Sequence, residues 1–517
     1  MSKEINILWT DDEIDLLRPY ILFLEEKGYR VLTASNGEEA MELVRSNTFD
    51  LIFLDENMPG LSGLETLERI KNINPAVPVI MITKSEEEDI MDEAIGSKIA
   101  DYLIKPVNPK QILLTIKKHL DSRRLVTQKT TSAYQIQFSQ IGTLIQSARS
   151  FDDWVEIYKK LVFWEQELDM SDESGMNEVL NMQWSDANHG FTRYIKNRYK
   201  GWFSGSDDDR PVLSQQLFAR SVFPLLDKGK VAVLVIDNLR FDQWKLIEQQ
   251  INDLFKVEEE MIYCSILPTA TQFARNAMFA GLMPAEIKKL APQYWVDEEE
   301  EQGKNRYESE LLESQMKRLG INRTMHYEKI LNQKQGKRVV ENFSDLMNYD
   351  LNVLVYNFVD MLSHARTEMN MIRELAYDDK SYRALTLTWF NNSYLLDFIR
   401  LLSSNKVQLV ITTDHGAIRV QNPVKVVGDR QTSANLRYKQ GRNLSFPAKE
   451  VFVVNDPEEV HLPRANVSTT YIFAGGNDYM IYPNNYNHFV NHYRNTFQHG
   501  GISLEEMVIP CVIMTPR

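Results

Sequence analysis

Apolar residues follow different periods in different parts of the chain. Up to about residue 121, short apolar runs alternate with segments in which apolar residues recur every three to four positions. This alternation is typical of a parallel, doubly wound sheet with helices on both faces. The predicted strands are Ile5–Trp9, Arg30–Ala34, Leu51–Asp55, Val79–Thr83 and Asp101–Ile104. The sequence therefore predicts an N-terminal α/β domain over residues 1–121.

The pattern changes after residue 121, where turn signals become rare and aromatic and aliphatic residues recur at helical spacing. An all-helical connector is predicted over residues 122–205. Asp152 is predicted to cap a helix that contains Trp154, and Gly190 to break a helix. The polar stretch SGSDDDRP at 204–211 predicts the end of this connector.

Strand and helix patterns alternate again over residues 206–517, which predicts a third domain with an α/β sheet. Its apolar runs are followed by Asp, Thr or Asp-His at their ends. The predicted segments are 230–244, 262–281, 351–366, 408–418, 470–483 and 497–510. Functional groups of such sheets gather where the strands end, so we expect the chemistry of this domain at one edge of the sheet.

The net charge, the number of cysteines and the lengths of the apolar runs bear on which classes of function are expected. The chain has 517 residues, 43% of them hydrophobic and 25% charged, and a formal net charge of -14. This charge disfavours a general duplex-binding surface, because non-specific affinity for DNA comes mainly from Lys and Arg. With only two cysteines, a zinc site must use His and Asp. The sequence begins without a signal-peptide pattern and has no long apolar run, which predicts a cytoplasmic protein without a membrane span.

Polar side chains end each strand of the first predicted sheet. They are Asp11 and Asp12, Asp55, Thr83 and Lys105. Converging carboxylates repel one another unless a divalent cation neutralises them, and an oxygen-rich site suits Mg²⁺. The sequence therefore predicts a magnesium site here.

Residues 5–120 resemble a two-component receiver domain through the motifs TDDE (10–13), LDENMPGLSG (54–63), MITKS (81–85) and DYLIKP (101–106). The resemblance implies that Asp55 accepts a phosphoryl group. Asp11, Asp12, Asp55 and the Asn57 carbonyl would hold Mg²⁺. Lys105 would pair with the phosphoryl group, Thr83 and Tyr102 would be switch residues, and the peptide before Pro106 would be cis.

Histidine and aspartate residues of the third domain have spacings that suit metal binding. Asp360 and His364 lie four residues apart, which places both on one face of a helix. Asp414 and His415 follow a predicted strand. Together with Asp237 and His499 they provide six O and N ligands, enough for two zinc-like ions, the usual apparatus for displacement at phosphorus.

Two assignments in this site require a choice between candidate residues. His488 and His492 form a competing pair, but we prefer His499, because its following glycines let the backbone approach a site. The nucleophile would be Thr269 or Thr271, beside the start of a helix that favours an anion, and we prefer Thr271.

Residues 230–517 resemble the alkaline phosphatase superfamily, and within it the PglZ-type domain. The motifs are IDNLR, PTATQ, FVDMLSH, TTDHG and QHGGISLEEMVIP. The resemblance implies one zinc on Asp237, Asp414, His415 and the Thr271 oxygen. It implies a second zinc on Asp360, His364 and His499, and a covalent phosphothreonine at Thr271.

Two inserts, residues 290–342 and 423–460, interrupt the α/β pattern and are candidates for substrate selection. Basic residues of the second insert are hypothesised to contact the far side of a phosphodiester. They are Arg430, Arg437, Lys439 and Arg442.

The whole order of domains resembles the PorX-type response regulators, which are associated with protein secretion and gliding in Bacteroidota. The leading hypothesis is a zinc-dependent phosphohydrolase, more specifically a phosphodiesterase of nucleotide or oligonucleotide substrates. Phosphorylation at Asp55 by a sensor histidine kinase would control it through a homodimer. The competing hypothesis is a signalling adaptor with a structural metal site that binds a sensor kinase, a sigma factor or the secretion machinery. A DNA-binding transcription factor is a third, weaker hypothesis.

Overall fold

The computed structural model describes residues 5–75, 77–84, 99–169, 174–205, 209–296, 305–429 and 432–517. The chain divides into two compact units, and the division falls between Tyr134 and Gln135. Among the described residues, no helix combines the length and the apolar character that crossing a membrane requires.

A five-stranded parallel sheet organises the first unit, in the strand order β2-β1-β3-β4-β5. The strands are β1 Ile5–Thr10, β2 Tyr29–Ala34, β3 Leu51–Asp55, β4 Val79–Thr83 and β5 Asp101–Ile104. The helices are α1 Arg18–Glu26, α2 Gly37–Ser46, α3 Gly63–Ile73 and α4 Pro109–Ile116. The predicted doubly wound α/β fold of this unit is thus confirmed.

Helix caps and buried strands explain why these elements form. The side chain of Asn36 caps α2, Asn108 caps α4, and Ser62 forms a capping box with Glu65 at the start of α3. Every residue of β3 and β4 is buried, as expected of central strands covered on both faces. One apolar cluster packs on each side of the sheet.

The predicted connector is helical, with α5 Ser122–Ser147, α6 Phe151–Asp169, α7 Ser174–Arg198 and α8 Gly201–Ser204. Two details of the prediction are wrong. Helix α6 begins one residue before Asp152, because the Ser150 hydroxyl accepts the backbone N–H of Asp153 and so caps the helix. Gly190 lies inside α7, where a Cβ atom would come within 2.6 Å of the Trp154 ring. This glycine permits close helix packing instead of ending the helix.

A six-stranded mixed sheet forms the centre of the C-terminal region, in the order β7-β18-β10-β6-β9-β8. Strands β10, β6, β9 and β8 are parallel, and β18 runs antiparallel to both of its neighbours. The strands are β6 Val231–Ile236, β7 Phe255–Cys264, β8 Met325–Ile330, β9 Leu351–Tyr356, β10 Gln408–Thr412 and β18 Val508–Pro516.

Helices of the C-terminal region connect and cover these strands. They are α9 Phe241–Ile251, α10 Thr271–Ala280, α11 Pro284–Leu290, α12 Glu308–Arg318, α13 Gln333–Glu341, α14 Phe343–Leu346, α15 Phe358–Glu368, α16 Asn370–Leu375, α17 Asp379–Asn391, α18 Tyr394–Ser404, α19 Tyr486–Tyr493 and α20 Leu504–Met507. Strands β6 and β9 are buried throughout, because they lie inside the sheet.

Smaller sheets contain the remaining strands, which are β11 Ile418–Arg419, β12 Asn422–Lys425, β13 Tyr438–Gly441, β14 Val451–Val454, β15 Thr470–Ala474, β16 Asp478–Ile481 and β17 Phe497–Gln498. Segment 470–483, predicted with the strands of the main sheet, lies outside it. Its strand β15 pairs antiparallel with β13 and β14, and β16 pairs with β12. The partner strands come from the insert at 423–460, so this insert builds structure of its own.

Candidate functional site

An acidic site lies at the carboxyl ends of β1 and β3 in the first unit. Ligand atoms of Asp11, Asp12 and Asp55 all lie within 4.8 Å of one another. The Lys105 ammonium group is 2.8 Å from Asp11 Oδ2 and 3.0 Å from Asp55 Oδ1. The structure therefore brings the three carboxylates and the lysine together.

The electrostatics of this site favour a bound cation. Burial raises the pKa of Asp55, and Asp11 and Asp12 raise it further, while Lys105 lowers it only in part. A divalent cation among the three carboxylates would offset this repulsion. The all-oxygen donor set fits Mg²⁺.

The other candidate residues of the receiver domain lie on β4, on β5 and in the loop after β3. Thr83 ends β4 and is 5% exposed, Tyr102 on β5 is 40% exposed, and Asn57 is exposed in the loop after Asp55. The Lys105–Pro106 peptide is cis. The switch roles of Thr83, Tyr102 and Lys105 and the ligand role of Asn57 stay predictions.

Asp237, Asp414 and His415 form the first cluster of candidate metal ligands in the C-terminal region. The three residues follow the adjacent parallel strands β6 and β10, and all are buried. His415 Nε2 lies 3.6 Å from Asp414 Oδ2 and 3.9 Å from Asp237 Oδ1. The Thr271 hydroxyl, at the start of α10, lies 3.1 Å from the same nitrogen.

Asp360, His364 and His499 form the second cluster. Asp360 and His364 project from α15, as their four-residue spacing predicts. His364 Nε2 lies 3.5 Å from Asp360 Oδ2, and His499 Nε2 lies 3.7 Å from Asp360 Oδ1. The His364 side chain is 63% exposed, so this cluster faces solvent on one side.

The two clusters are adjacent. The rings of His415 and His499 stack with their centroids 4.2 Å apart. His415 Nδ1 lies 3.2 Å from the Gly416 carbonyl oxygen, and His499 Nδ1 lies 3.1 Å from the Thr269 carbonyl oxygen. A carbonyl accepts only from an N–H, so Nδ1 carries the proton and Nε2 keeps its lone pair. This is the arrangement in which a histidine ligates a metal.

Burial lowers the pKa of both His415 and His499 to about 4, so both rings are neutral at pH 7. Burial, followed by repulsion from Asp237, raises the pKa of Asp414 well above its usual value and raises that of Asp360. Burial also opposes ionisation of Asp237, but the Arg275 guanidinium lowers its pKa on balance.

Unsatisfied acceptors show that the first cluster fits a cation. Asp237 Oδ1 is buried without a hydrogen-bond donor among the described residues, while Asp237 Oδ2 and Asp414 Oδ2 are buried near the Arg275 guanidinium, at 2.6 and 3.7 Å. Buried carboxylate oxygens are ordinarily satisfied. Mixed His and Asp ligands with a hydroxyl beside them are a donor set that zinc accepts.

The two candidate threonines differ in environment. The Thr269 hydroxyl donates to the Gly501 carbonyl at 2.9 Å and accepts the Gly500 N–H at 3.0 Å. It therefore holds the loop that carries His499. Gly500 has φ 120°, and a Cβ atom there would come within 2.6 Å of the Tyr438 ring, so a side chain is excluded. The Thr271 hydroxyl instead lies beside a candidate metal ligand, 3.1 Å from His415 Nε2.

Sequence reasoning missed the buried network around Arg275. The Arg275 guanidinium lies 2.6 Å from Asp237 Oδ2 and 3.7 Å from Asp414 Oδ2. Its other side pairs with Glu308 at 2.7 Å, and Lys329 pairs with Glu308 at 3.0 Å. Glu308 lies in the helix that begins ESELLESQ and carries no signal that separates it from solvated glutamates.

The hypothesis that basic residues of the second insert contact a phosphodiester is wrong for Arg437 and Lys439. Arg437 is fully buried and pairs with Glu506 at 2.6 Å. Lys439 is 1% exposed, and burial lowers its pKa to about 7. Arg430 lies outside the described residues.

The histidines that compete with His499, His488 and His492, lie on one face of α19, with ring centroids 6.1 Å apart.

Family comparisons cover most of the chain. The BREX system PglZ alkaline phosphatase-like domain matches residues 217–514, more than half of the chain. The PorX response regulator linker domain matches residues 124–203, and the response regulator receiver domain matches residues 7–117.

Individual relatives are similar to only part of the chain. The transcriptional regulatory protein ZraR of Klebsiella oxytoca is 37% identical over 141 residues, which are 27% of this chain and 32% of that protein. The alginate biosynthesis transcriptional regulatory protein AlgB of Pseudomonas aeruginosa is 35% identical over 127 residues, 25% of this chain and 28% of that protein. The matches thus span about a third of the length of these curated relatives.

Among solved structures, a CheY-like receiver domain protein from Methanospirillum hungatei is 29% identical. The match covers 23% of this chain and 95% of that chain, with a TM-score of 0.23.

Proposed function

The chain belongs to the PorX-type response regulators with a PglZ alkaline phosphatase-like domain, and on that premise we propose that its C-terminal region is a zinc-dependent phosphodiesterase. One observation carries the proposal. Two adjacent clusters of three candidate metal ligands meet at the stacked rings of His415 and His499, and the Thr271 hydroxyl lies at the first cluster.

In this proposal, Asp237, Asp414, His415 and the Thr271 oxygen hold one Zn²⁺. Asp360, His364 and His499 hold the other. Zinc bound by these residues would lower the pKa of the attacking hydroxyl and would balance the charge on the leaving oxygen.

Thr271 supplies the nucleophile. It is the first residue of a ten-residue helix, whose backbone N–H groups and dipole favour a phosphate group. The Thr271 oxygen, after releasing its proton to solvent, would form a bond to phosphorus while the bond to the leaving oxygen breaks, and that oxygen would take up a proton and leave as the alcohol. Water would then attack phosphorus, which restores the Thr271 hydroxyl and releases a phosphate monoester. Arg275 keeps Asp237 ionised and in place. The preference for diesters, and for nucleotide or oligonucleotide substrates, rests on the family resemblance.

The receiver domain supplies the regulation. A receiver accepts its phosphoryl group from a sensor histidine kinase, and Asp55 beside Lys105 is the proposed acceptor, with Mg²⁺ on Asp11, Asp12, Asp55 and Asn57. We further propose a cytoplasmic location and a role in secretion and gliding signalling.

A panel of phosphoesters tests the proposed activity. The full-length protein loaded with zinc is expected to hydrolyse bis(p-nitrophenyl) phosphate faster than p-nitrophenyl phosphate. Chelation should remove the activity and added zinc should restore it. If the metal-loaded protein is inactive on every ester, the competing function is favoured. That function is an adaptor with a structural metal site that binds a kinase, a sigma factor or the secretion machinery.

Phosphorylation is expected to produce a homodimer. A phosphoryl group on Asp55 adds negative charge beside Lys105 and Thr83, and such changes commonly act on a subunit interface. Beryllofluoride with Mg²⁺ should therefore double the mass of the wild-type protein in solution, measured by light scattering. Asp55→Asn should stay monomeric under the same conditions. An unchanged wild-type mass would show that regulation does not act through dimerisation.

A further inference from the structure

A cavity of about 390 Å³ lies between the helical connector and the C-terminal domain, which belong to one compact unit. Helices α6 and α7 supply one wall, including Tyr158, Trp184 and Asn188. The other wall includes Arg240 and Glu505. This volume is in the range of pockets that hold small organic ligands and far exceeds what a single metal ion needs.

Negative charge exceeds positive charge in this cavity. Its lining includes four carboxylates and two arginines, Glu165, Asp242, Asp379, Glu505, Arg240 and Arg419. Arg240 is occupied by Asp242 and Asp379. Arg419 pairs with Asp379, and nearby Arg383 pairs with Glu165 and Asp242. The guanidinium groups are therefore already paired with carboxylates of the protein itself.

Glu505 is the carboxylate without a cation. The Asn188 amide donates to both of its carboxylate oxygens, at 3.0 and 3.2 Å. Among the residues that the structure describes, Glu505 has no ion-pair partner within 4.0 Å. Burial raises its pKa to about 7, although Arg240 and the Asn188 amide lower it in part.

Two residues that line the same cavity, Tyr158 and Trp184, carry buried polar groups without a hydrogen-bond partner among the described residues. Tyr158 is 1% exposed, and its hydroxyl has no hydrogen-bond partner among the described residues. Burial raises the pKa of Tyr158 well above its usual value, and the carboxylates of Asp242, Glu505 and Glu165 raise it further against the opposing effect of Arg240. The Trp184 indole N–H is likewise buried without an acceptor. Such groups are costly to leave unpaired, so they indicate a missing partner.

The aromatic rings add a second attraction for a positive charge. The rings of Tyr158 and Trp184 meet edge to face with centroids 5.7 Å apart. Aromatic faces attract ammonium and guanidinium groups. An acceptor atom on the same ligand would pair with the Trp184 N–H.

We propose that this cavity is a binding site for a small organic cation, an amine or guanidine that also carries a hydrogen-bond acceptor. The cation pairs with Glu505, donates to the Tyr158 hydroxyl and lies against the Trp184 ring. The acceptor binds the Trp184 N–H.

The same cavity contacts the loops that carry three candidate metal ligands. Arg240 follows Asp237 by three residues, and Gly416 follows His415 directly. A Cβ atom on Gly416 would come within 2.1 Å of the Glu505 carbonyl oxygen and 3.3 Å of Arg240 Cγ. These loops therefore pack together at the wall of the cavity, and an occupied cavity would stiffen them.

Calorimetric titration of the protein with 4-guanidinobutyrate and with 4-ureidobutyrate tests the proposal. The two probes share a shape and a carboxylate acceptor and carry no other amine, but the second has an uncharged urea group in place of the guanidinium. The corresponding amine, 4-aminobutyrate, is titrated as a further cation. Saturable binding of at least one of the two cations, with 4-ureidobutyrate at least about tenfold weaker than that cation, is expected. No saturable binding by either cation, or binding of 4-ureidobutyrate as tight as that of both cations, would overturn the proposal.

Two variants locate the binding. Glu505→Gln keeps the side-chain shape and is expected to weaken the bound cation at least about tenfold. Tyr158→Phe removes only the unpartnered hydroxyl, so it should fold normally and also bind more weakly. Unchanged affinity in Tyr158→Phe together with unchanged affinity in a folded Glu505→Gln would place the binding elsewhere and reject the site. The readout is binding, so it does not depend on hydrolysis.

Discussion

Thr271→Val is expected to lower phosphodiester hydrolysis at least about 10³-fold while the protein stays folded. Valine has nearly the shape of threonine but lacks the hydroxyl oxygen that would attack phosphorus. The oxygen lies 3.1 Å from His415 Nε2, so its removal takes away the nucleophile and one candidate zinc ligand together. Rates on bis(p-nitrophenyl) phosphate with zinc in excess, together with zinc content measured by mass spectrometry, check the result.

Thr271→Ser is the matched control. Serine keeps the hydroxyl, so this variant should retain most of the activity and should form a covalent phosphoserine in place of phosphothreonine. Thr269→Ser is a second control, because Thr269 holds the backbone of the loop at Gly500 and Gly501. Wild-type hydrolysis by a zinc-loaded Thr271→Val protein would refute the role of Thr271.

The sequence predicts much of the site because its chemistry follows short-range rules. The spacing of Asp360 and His364 places them on one helix face, and the carboxyl ends of parallel strands share an edge, which brings Asp237 and Asp414 together. The structure brings all six candidate side chains into two adjacent clusters. Their role as metal ligands stays a prediction.

Other features depend on contacts between segments far apart in the chain. Glu308 resembles any solvated helix glutamate until Arg275 and Lys329 approach it. Gly190 resembles a helix break until Trp154 packs against it. Segment 470–483 has the pattern of a strand, but the pattern does not say which of several sheets the strand joins. These outcomes are set by tertiary packing, which overrides local propensity.

Arg437 is a residue whose role is set by such packing. Arg437→Met is expected to lower the free energy of unfolding of the C-terminal region by about 3–5 kcal/mol. Arg437 and Glu506 are both fully buried, so methionine would leave the Glu506 charge uncompensated. The Arg437 guanidinium also donates to the carbonyls of Asp478 and Ile502. Urea unfolding followed by tryptophan fluorescence measures the change.

The exposed pair of Arg400 and Asp397 provides the control for this prediction. Arg400 is 58% exposed and lies 3.0 Å from Asp397, so Arg400→Met should change the free energy of unfolding by less than about 1 kcal/mol. Adding Glu506→Gln to Arg437→Met removes the uncompensated charge and should recover part of the loss. A single Arg437→Met variant as stable as Arg400→Met would contradict the expectation.

Glu506 also accepts the Gly501 N–H at 2.9 Å. Loss of the Arg437 guanidinium is therefore expected to loosen the loop that carries His499.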